Sequence, residues 1–442
     1  MAELTPAPGP ARDLYDLLTG DDEARVCLDI PDAACREQPI SFLLHLASLS
    51  LTKIGDGLAD TKLVLSWLLS VLGAPSYIVG LLVPVRESLS LLPQLMVAAW
   101  IRGHAVRKWF WVAGSLIEAL ALGLMALAAL LLEGDPAGWA ILGLLALFSI
   151  GRGFASIAHN DVLGKTISRT RRGTVSGWAT TVGSIGTGAF GLYMVLAGGT
   201  RGTAFFAAVL ALAALLWLAA SLLYSRIEEV PGATEGGKSA VAFIRGEVAR
   251  LGQEPDFVRF VLARALFVSI ALMPPFLVVL SQRSEGAGIR DLGLLVLASG
   301  IAGGLSSALW GRLADRSSRQ VMRAAAALAG LVALATGSLA LAAPEALALP
   351  LLLPAAVFLV ALAHAGMRIG RKTYIVDLAG AGRRAGYVAL SNTLIGVVLV
   401  TSGLIGVFAE TAGIGATLLL LAALAAVGIV LAGGLPEVQH PD

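Results

Sequence analysis

Charge is what this chain has least of: Asp, Glu, Lys and Arg make up 14% of its 442 residues, against 57% hydrophobic. Soluble domains carry roughly a quarter charged residues, so this composition cannot cover a water-facing surface. Cysteine is scarce as well, with only Cys27 and Cys35, both in the polar amino-terminal tail. Their spacing matches no strong metal-ligand pattern, and on the cytosolic side argued below they read as reduced thiols. There is no Gly-x-x-x-x-Gly-Lys-Ser/Thr loop and no dinucleotide fingerprint after a strand, so ATP-driven transport by this chain alone is disfavoured and no cofactor is expected. The basic residues are scattered over loops, which leaves nucleic-acid binding unsupported, and the net charge is only +2. Residues 1–40 are acidic and polar, without the basic start and short apolar core of a cleavable leader. Also missing are the alternating segments of about 10 residues that a transmembrane barrel requires.

What the chain does have is long apolar blocks, and its mean hydropathy is +0.82. A spanning helix needs about 20 apolar residues. Gly, Pro and charge boundaries divide the blocks into twelve such spans: 41–72, 76–101, 109–132, 138–160, 174–198 and 203–224, then 257–281, 291–311, 321–343, 349–371, 386–410 and 412–433. The fold class is therefore an all-α polytopic membrane protein. Its expected domains are an acidic cytosolic tail over 1–39, a six-helix bundle over 40–224 and a cytosolic linker over 225–256. A second six-helix bundle over 257–434 and a cytosolic tail over 435–442 follow. The linker contains a short amphipathic stretch, Ser239 to Leu251. In the amino-terminal tail, Arg12–Thr19 reads as a short amphipathic helix with Leu14, Leu17 and Leu18 on one side. Lys and Arg crowd one set of loops, for instance Arg107, Lys108, Lys165, Arg171, Arg172 and Arg319, whereas the alternate loops offer only Arg201, Arg283 and Arg290. That bias places both termini in the cytosol.

The halves echo each other at an offset of roughly 214–216 positions, as expected of a transporter built from repeats. Arg152, Asp161 and Arg171-Arg172-Gly173 in the first half correspond to Arg368, Asp377 and Arg383-Arg384 in the second. The stretch Gly311-Arg-Leu-Ala-Asp315-Arg316-Ser-Ser-Arg319 resembles the loop motif of the major facilitator superfamily, between the second and third helices of a half. Arg152 is similar to the Arg that family carries near the end of its fourth helix. The resemblance implies twelve transmembrane helices in two pseudo-symmetric bundles that rock about a central site. It also implies a transporter rather than an enzyme, working as a single unit in a plasma membrane, here a bacterial inner membrane. Two departures stand out. Ile101 replaces the motif Asp that, in the family, helps latch the halves together. The fifth span lacks the Gly-Pro pair typical of family antiporters.

Ionisable residues at bilayer depth mark solute paths or proton relays. Lys53, Asp56 and Asp60 are spaced i, i+3, i+7 and would share one face of an unbroken first helix. Asp56 and Asp60 are like charges on that stripe, which favours one of them carrying a proton. Arg86-Glu87 sits mid-span between Pro84 and Pro93. Glu87 is a second titrating candidate and Arg86 an anion anchor, although pairing of either with Asp56 or Lys53 would serve packing alone. Glu118 and Arg152 add a carboxylate and a guanidinium, the latter suited to a carboxylate or phosphate. Lys62 points away from the Lys53 stripe and is expected to snorkel or to pair with another helix.

The second half offers Arg264, Asn392 and the pair Pro274-Pro275, which must kink the seventh span. His364 and Arg368 share a face of the tenth span at i, i+4. Charge nevertheless concentrates in the first half, leaving the second to supply neutral contacts and movement. The resulting expectation is a secondary transporter of a small anionic or zwitterionic solute, coupled to protons carried on Asp56, Asp60, Glu87 and Glu118. Lys53, Arg86, Arg152, Arg264 and Asn392 would contact the solute, while Gly311, Asp315, Arg316, Arg319, Pro274 and Pro275 serve gating. Other readings of the same residues are a drug or metabolite exporter, a lipid translocase or lipid-modifying membrane protein, and a sensor that uses its tail as an interaction arm.

Overall fold

Long apolar helices account for nearly all of the chain, as its hydropathy requires. The computed structural model describes residues 10–20, 30–199, 201–232, 234, 254–283, 287–379 and 384–439. The amphipathic stretch expected at 239–251, the acidic run around Cys27, and Arg383 lie outside the described residues. A short helix, α1 (Pro10–Thr19), precedes the spanning helices. The first half follows with α2 (Asp32–Leu58), α3 (Val64–Val71), α4 (Ser76–Leu91), α5 (Gln94–Arg102), α6 (Lys108–Leu131), α7 (Gly134–Thr166), α8 (Arg169–Ala197) and α9 (Thr203–Ser225). The second half contains α10 (Pro255–Leu266), α11 (Val268–Gln282), α12 (Ile289–Arg316), α13 (Ser318–Ala342), α14 (Leu352–Ala379), α15 (Arg384–Ser402) and α16 (Leu404–Gly433). Among the described residues, nine helical segments are long and apolar enough to cross a membrane. The protein is a multi-pass membrane protein. Leu131 and Leu196, each 77% exposed, belong to the outward faces that such a protein presents to lipid.

Three expected spans fall short of that length because they are interrupted, each for a local reason. The first stops at Leu58 and resumes at Val64. Asp60 Oδ1 accepts the backbone N–H groups of Lys62 and Leu63 at 3.0 and 2.8 Å, so its side chain fixes the turn that leads into α3. The second breaks at Leu92–Pro93, where proline has no N–H to continue the ladder. The eleventh is divided at Gly403 and runs on into the start of α16. Inside α16, Gly413 adopts φ +84°, a conformation that glycine takes without a side-chain penalty, and there the chain reverses into the twelfth span.

Small residues let the halves approach. A Cβ at Gly191 of α8 would lie 2.6 Å from the Leu297 backbone N of α12, and one at Gly80 of α4 would lie 2.4 Å from Gly406 Cα of α16. These are backbone-on-backbone crossings of the kind membrane helices use in place of hydrophobic drive. At the opposite end, each half ties in its third spanning helix with a glutamate that follows its last one. Glu229 accepts the backbone N–H groups of Arg107 (2.8 Å) and Lys108 (2.6 Å) and the Lys165 ammonium (2.7 Å). Arg107 also pairs with Asp161. Glu437 accepts from Ser317 Oγ at 2.6 Å and lies 3.6 Å from Arg319.

The described part of the tail packs against the first half. Tyr15, with Leu18 beside it, anchors α1: its ring meets Phe42 edge-on at 5.1 Å and its hydroxyl accepts from Gln38 at 2.8 Å. Leu14 and Leu17 stay exposed. Arg171 bonds the Thr19 carbonyl and Trp178 the Leu18 carbonyl, covering the carbonyl end of α1. Cys35 is disulfide-bonded, which corrects the expectation of a reduced thiol there.

Candidate functional site

Breaking the first span at Asp60 turns a polar corner toward the middle of the molecule. The turn carries Asp60, Thr61 and Lys62 into a cavity of about 340 Å³ between the halves. From the first half, α2 adds Asp56, α4 adds Arg86 and Glu87, and α6 and α7 add an apolar wall that includes Met125 and Phe148. Across the cavity, α11 contributes Pro274, α12 contributes Ser299 and Gly303, and α14 contributes His364, Arg368 and Arg371. The spacing i, i+4, i+7 puts those three α14 side chains on one face.

The cavity carboxylates are not equivalent. Asp56 is held between two guanidinium groups: Oδ1 lies 3.6 Å from Arg86, and Oδ2 is hydrogen-bonded by Arg152. Arg86 in turn stacks over Phe148, 4.8 Å from its centroid, and Arg152 over Trp217 at 5.2 Å. Asp60 is engaged by α3, as described above. Glu87 makes no ion pair or side-chain hydrogen bond among the described residues, yet it lies within the field of Lys62, Arg86, Arg368 and Arg371. Lys62 Nζ approaches His364 Nε2 at 3.3 Å. An ammonium group has only donors, so that ring nitrogen accepts and the imidazole carries its proton on Nδ1.

One end of the interface between the halves is closed. Gln282 donates to the Trp67 carbonyl at 3.0 Å, and the Ile289 N–H to the Gly199 carbonyl at 3.0 Å. The Gly191 and Gly80 crossings lie toward the same end. Both of these hydrogen bonds between the halves lie at this end, whereas the Lys62–His364 approach lies inside the cavity. A second, shallower cavity of about 440 Å³ lies outside the closure, bordered by Trp67, Arg201 and Arg283.

The fold recurs in solved structures. A mutant of the nucleoside transporter NupG superposes with a TM-score of 0.70 at 14% identity, covering 89% of this chain and 99% of that one. A POT family transporter in complex with 5-aminolevulinic acid gives 0.66 at 11% identity, with 89% and 95% covered. A D-xylose-proton symporter gives 0.65 at 14%, with 91% and 99% covered. The fold is that of the major facilitator superfamily. No protein-family model matches the chain, and no curated protein matches its sequence. What is shared at these identities is the superfamily's framework of helices.

Within that framework, the residues singled out from sequence separate into groups. Asp56, Asp60, Arg86, Glu87 and Pro274 line the cavity. Lys53, Glu118, Arg152, Arg264, Asn392 and Pro275 do not. Lys53 stands against Gly183 of α8 and makes no ion pair among the described residues, since Asp56 faces the two arginines instead. The shared stripe of Lys53, Asp56 and Asp60 does not form, because the helix ends before Asp60. Glu118 is fully buried behind Arg152, 3.7 Å from its guanidinium, with neither oxygen hydrogen-bonded. Arg264 is enclosed between helices, donating to Ser391 at 2.5 Å and to Asn392 at 2.9 Å. In the superfamily-like loop, Asp315 and Arg316 are exposed at the open end, and Arg319 donates to the Leu435 carbonyl at 2.6 Å.

The expected poverty of charge in the second half is corrected by α14, whose Arg368 and Arg371 form the basic wall. Arg371 reads in sequence as a loop residue that sets topology. Its signal was the continuation of the His364–Arg368 face by three more positions. Lys62 was expected either to snorkel or to pair across helices, and it does the latter.

Proposed function

We propose that this protein is a secondary transporter that carries a small anionic solute through the cavity and couples it to protons at Glu87. One observation carries the reading: Glu87 is an unpaired carboxylate in a cavity between two halves, facing four cations. A proton carrier must change charge without collapsing the structure around it. Asp56 is committed to Arg86 and Arg152, and Asp60 to the backbone of α3, so each is a poor exchanger. Glu118 is sealed behind Arg152. Unpaired Arg368 and Arg371 give an anion two forked donors on one helix face. On this reading the protein works as a single unit in a bacterial inner membrane, with both termini cytosolic and the open end of the cavity facing the cytosol. Gating would then fall to Pro274, Pro275 and the loop carrying Gly311, Asp315, Arg316 and Arg319.

The test is uptake into proteoliposomes under an imposed pH step, with labelled succinate, glycerol 3-phosphate, lactate and glycine as probes. Glu87→Gln is expected to abolish gradient-driven accumulation of the transported probe while preserving its counterflow exchange. Accumulation unchanged in that variant overturns the coupling role of Glu87.

A further inference from the structure

The cavity's charges do not cancel, and the imbalance specifies the cargo more narrowly than its sign. Lys62, Arg86, Arg368 and Arg371 face Asp56, Asp60 and Glu87, four cations against three carboxylates. Behind the wall Arg152 and Glu118 offset each other, while Lys53, which does not line the cavity, lies within the field of Asp56, Arg152 and Arg368 and adds to the positive side. His364 adds none, because its Nε2 accepts from Lys62. Burying uncompensated charge is costly, so an empty cavity of this kind favours whatever restores neutrality. Counting the lining groups, with Glu87 ionised the deficit is one negative charge; with Glu87 protonated it is two.

We infer that the solute is a dianion of the phosphate-monoester or dicarboxylate type, bound together with one proton on Glu87. This rests on the proton-coupled reading given above. The groups facing Glu87 are Asp56 on α2, Asp60 and Lys62 in the turn after it, Arg86 beside it, Arg152 on α7, and His364, Arg368 and Arg371 on α14. Only Glu87 among the carboxylates lacks a committed partner, so it is the group whose protonation changes the count. Arg368 and Arg371, two free guanidinium groups one turn apart, match the separate oxygens of a doubly charged ligand, and Lys62 supplies a third donor from the other half. Dianion and proton together carry one negative charge, which cancels the single positive surplus of the lining groups: the proton arrives from one aqueous phase on the Glu87 carboxylate and is released to the other with the dianion.

The experiment is a thermal-shift titration of the purified full-length protein at pH 6.5 and pH 8.5. The probes are glycerol 3-phosphate and succinate as dianions, lactate as monoanion and glycine as zwitterion. A dianion is expected to stabilise the protein, with tighter apparent binding at the lower pH, and the stronger of the two dianions identifies the headgroup. Glu87→Gln, permanently neutral there, should bind succinate equally at both pH values, whereas a phosphate monoester, whose second pKa is about 6, is itself partly protonated at the lower one. Arg371→Gln should weaken dianion binding roughly tenfold or more and shift preference toward lactate. Each variant is measured against its own unliganded melting temperature, and Arg368→Gln serves if Arg371→Gln does not fold. Stabilisation by lactate or glycine equal to that by the dianions overturns the inference, as does stabilisation by none. Proton-driven uptake of glycine or lactate in the liposome assay would overturn it too, while leaving the transporter reading intact.

Discussion

Asp56 holds two guanidinium groups at once, and that decides what its loss would do. Asp56→Asn leaves Arg86 and Arg152 facing each other with only Glu118 to offset them. Removing one partner of a buried ion pair strands the remaining charge, at a cost of about 3 kcal/mol. The expected outcome is a marked fall in the melting temperature of the Asp56→Asn protein, with a smaller change for Glu87→Gln, measured side by side in detergent. An equal fall for both would make Glu87 a structural residue. The sequence revealed that Asp56, Arg86 and Glu87 lie at bilayer depth and that one of them would pair. It could not choose the partner, because the choice is made across three helices. It put Lys53 and Asp60 with Asp56 only by assuming an unbroken helix, and Asp60, a good capping residue, is what ends that assumption.

At the scale of elements, the crossing of α8 over α12 rests on the absence of a side chain at Gly191. Any Cβ there meets the Leu297 backbone at 2.6 Å and the Gly293 carbonyl at 3.0 Å, and backbone cannot swing aside as a side chain can. Gly191→Val is therefore expected to hold the halves apart at the closed end. In a Ser299→Cys background, an impermeant maleimide applied from the side of residue 201 should label the cavity several-fold faster when Gly191→Val is present. Labelling at the same rate would show that this crossing does not seal the cavity. Span positions were readable from hydropathy to within a few residues, but the break at Leu92–Pro93 was not read, and the seventh span divides at Phe267 while Pro274 and Pro275 lie inside α11. The break at 59–63 was not read, since its turn is framed by apolar residues on both sides and is held by a single carboxylate, that of Asp60.

For the whole molecule, the half-repeat was legible in the order of loop charges, and the fold it implied is the one observed. Its functional asymmetry was hidden for a physical reason. Arg152 and Arg368 occupy corresponding positions, yet Arg152 is neutralised by Asp56 and Glu118, whereas Arg368 has no carboxylate partner and faces the cavity. Repeat register fixes where a side chain stands, and its neighbours from other helices fix whether its charge remains available.

The two glutamates that close each half have a consequence for how the protein is put together. Glu229 fastens the start of α6 from beyond α9, and Glu437 fastens the start of α13 from beyond α16, so each half ties its own ends without help from the other. Severing the covalent link between residues 234 and 254 should then yield two fragments that assemble in the membrane when co-expressed, recovered together by affinity purification through a tag on one of them. Charge reversal by Glu229→Lys should cost the first fragment its yield and leave the second untouched.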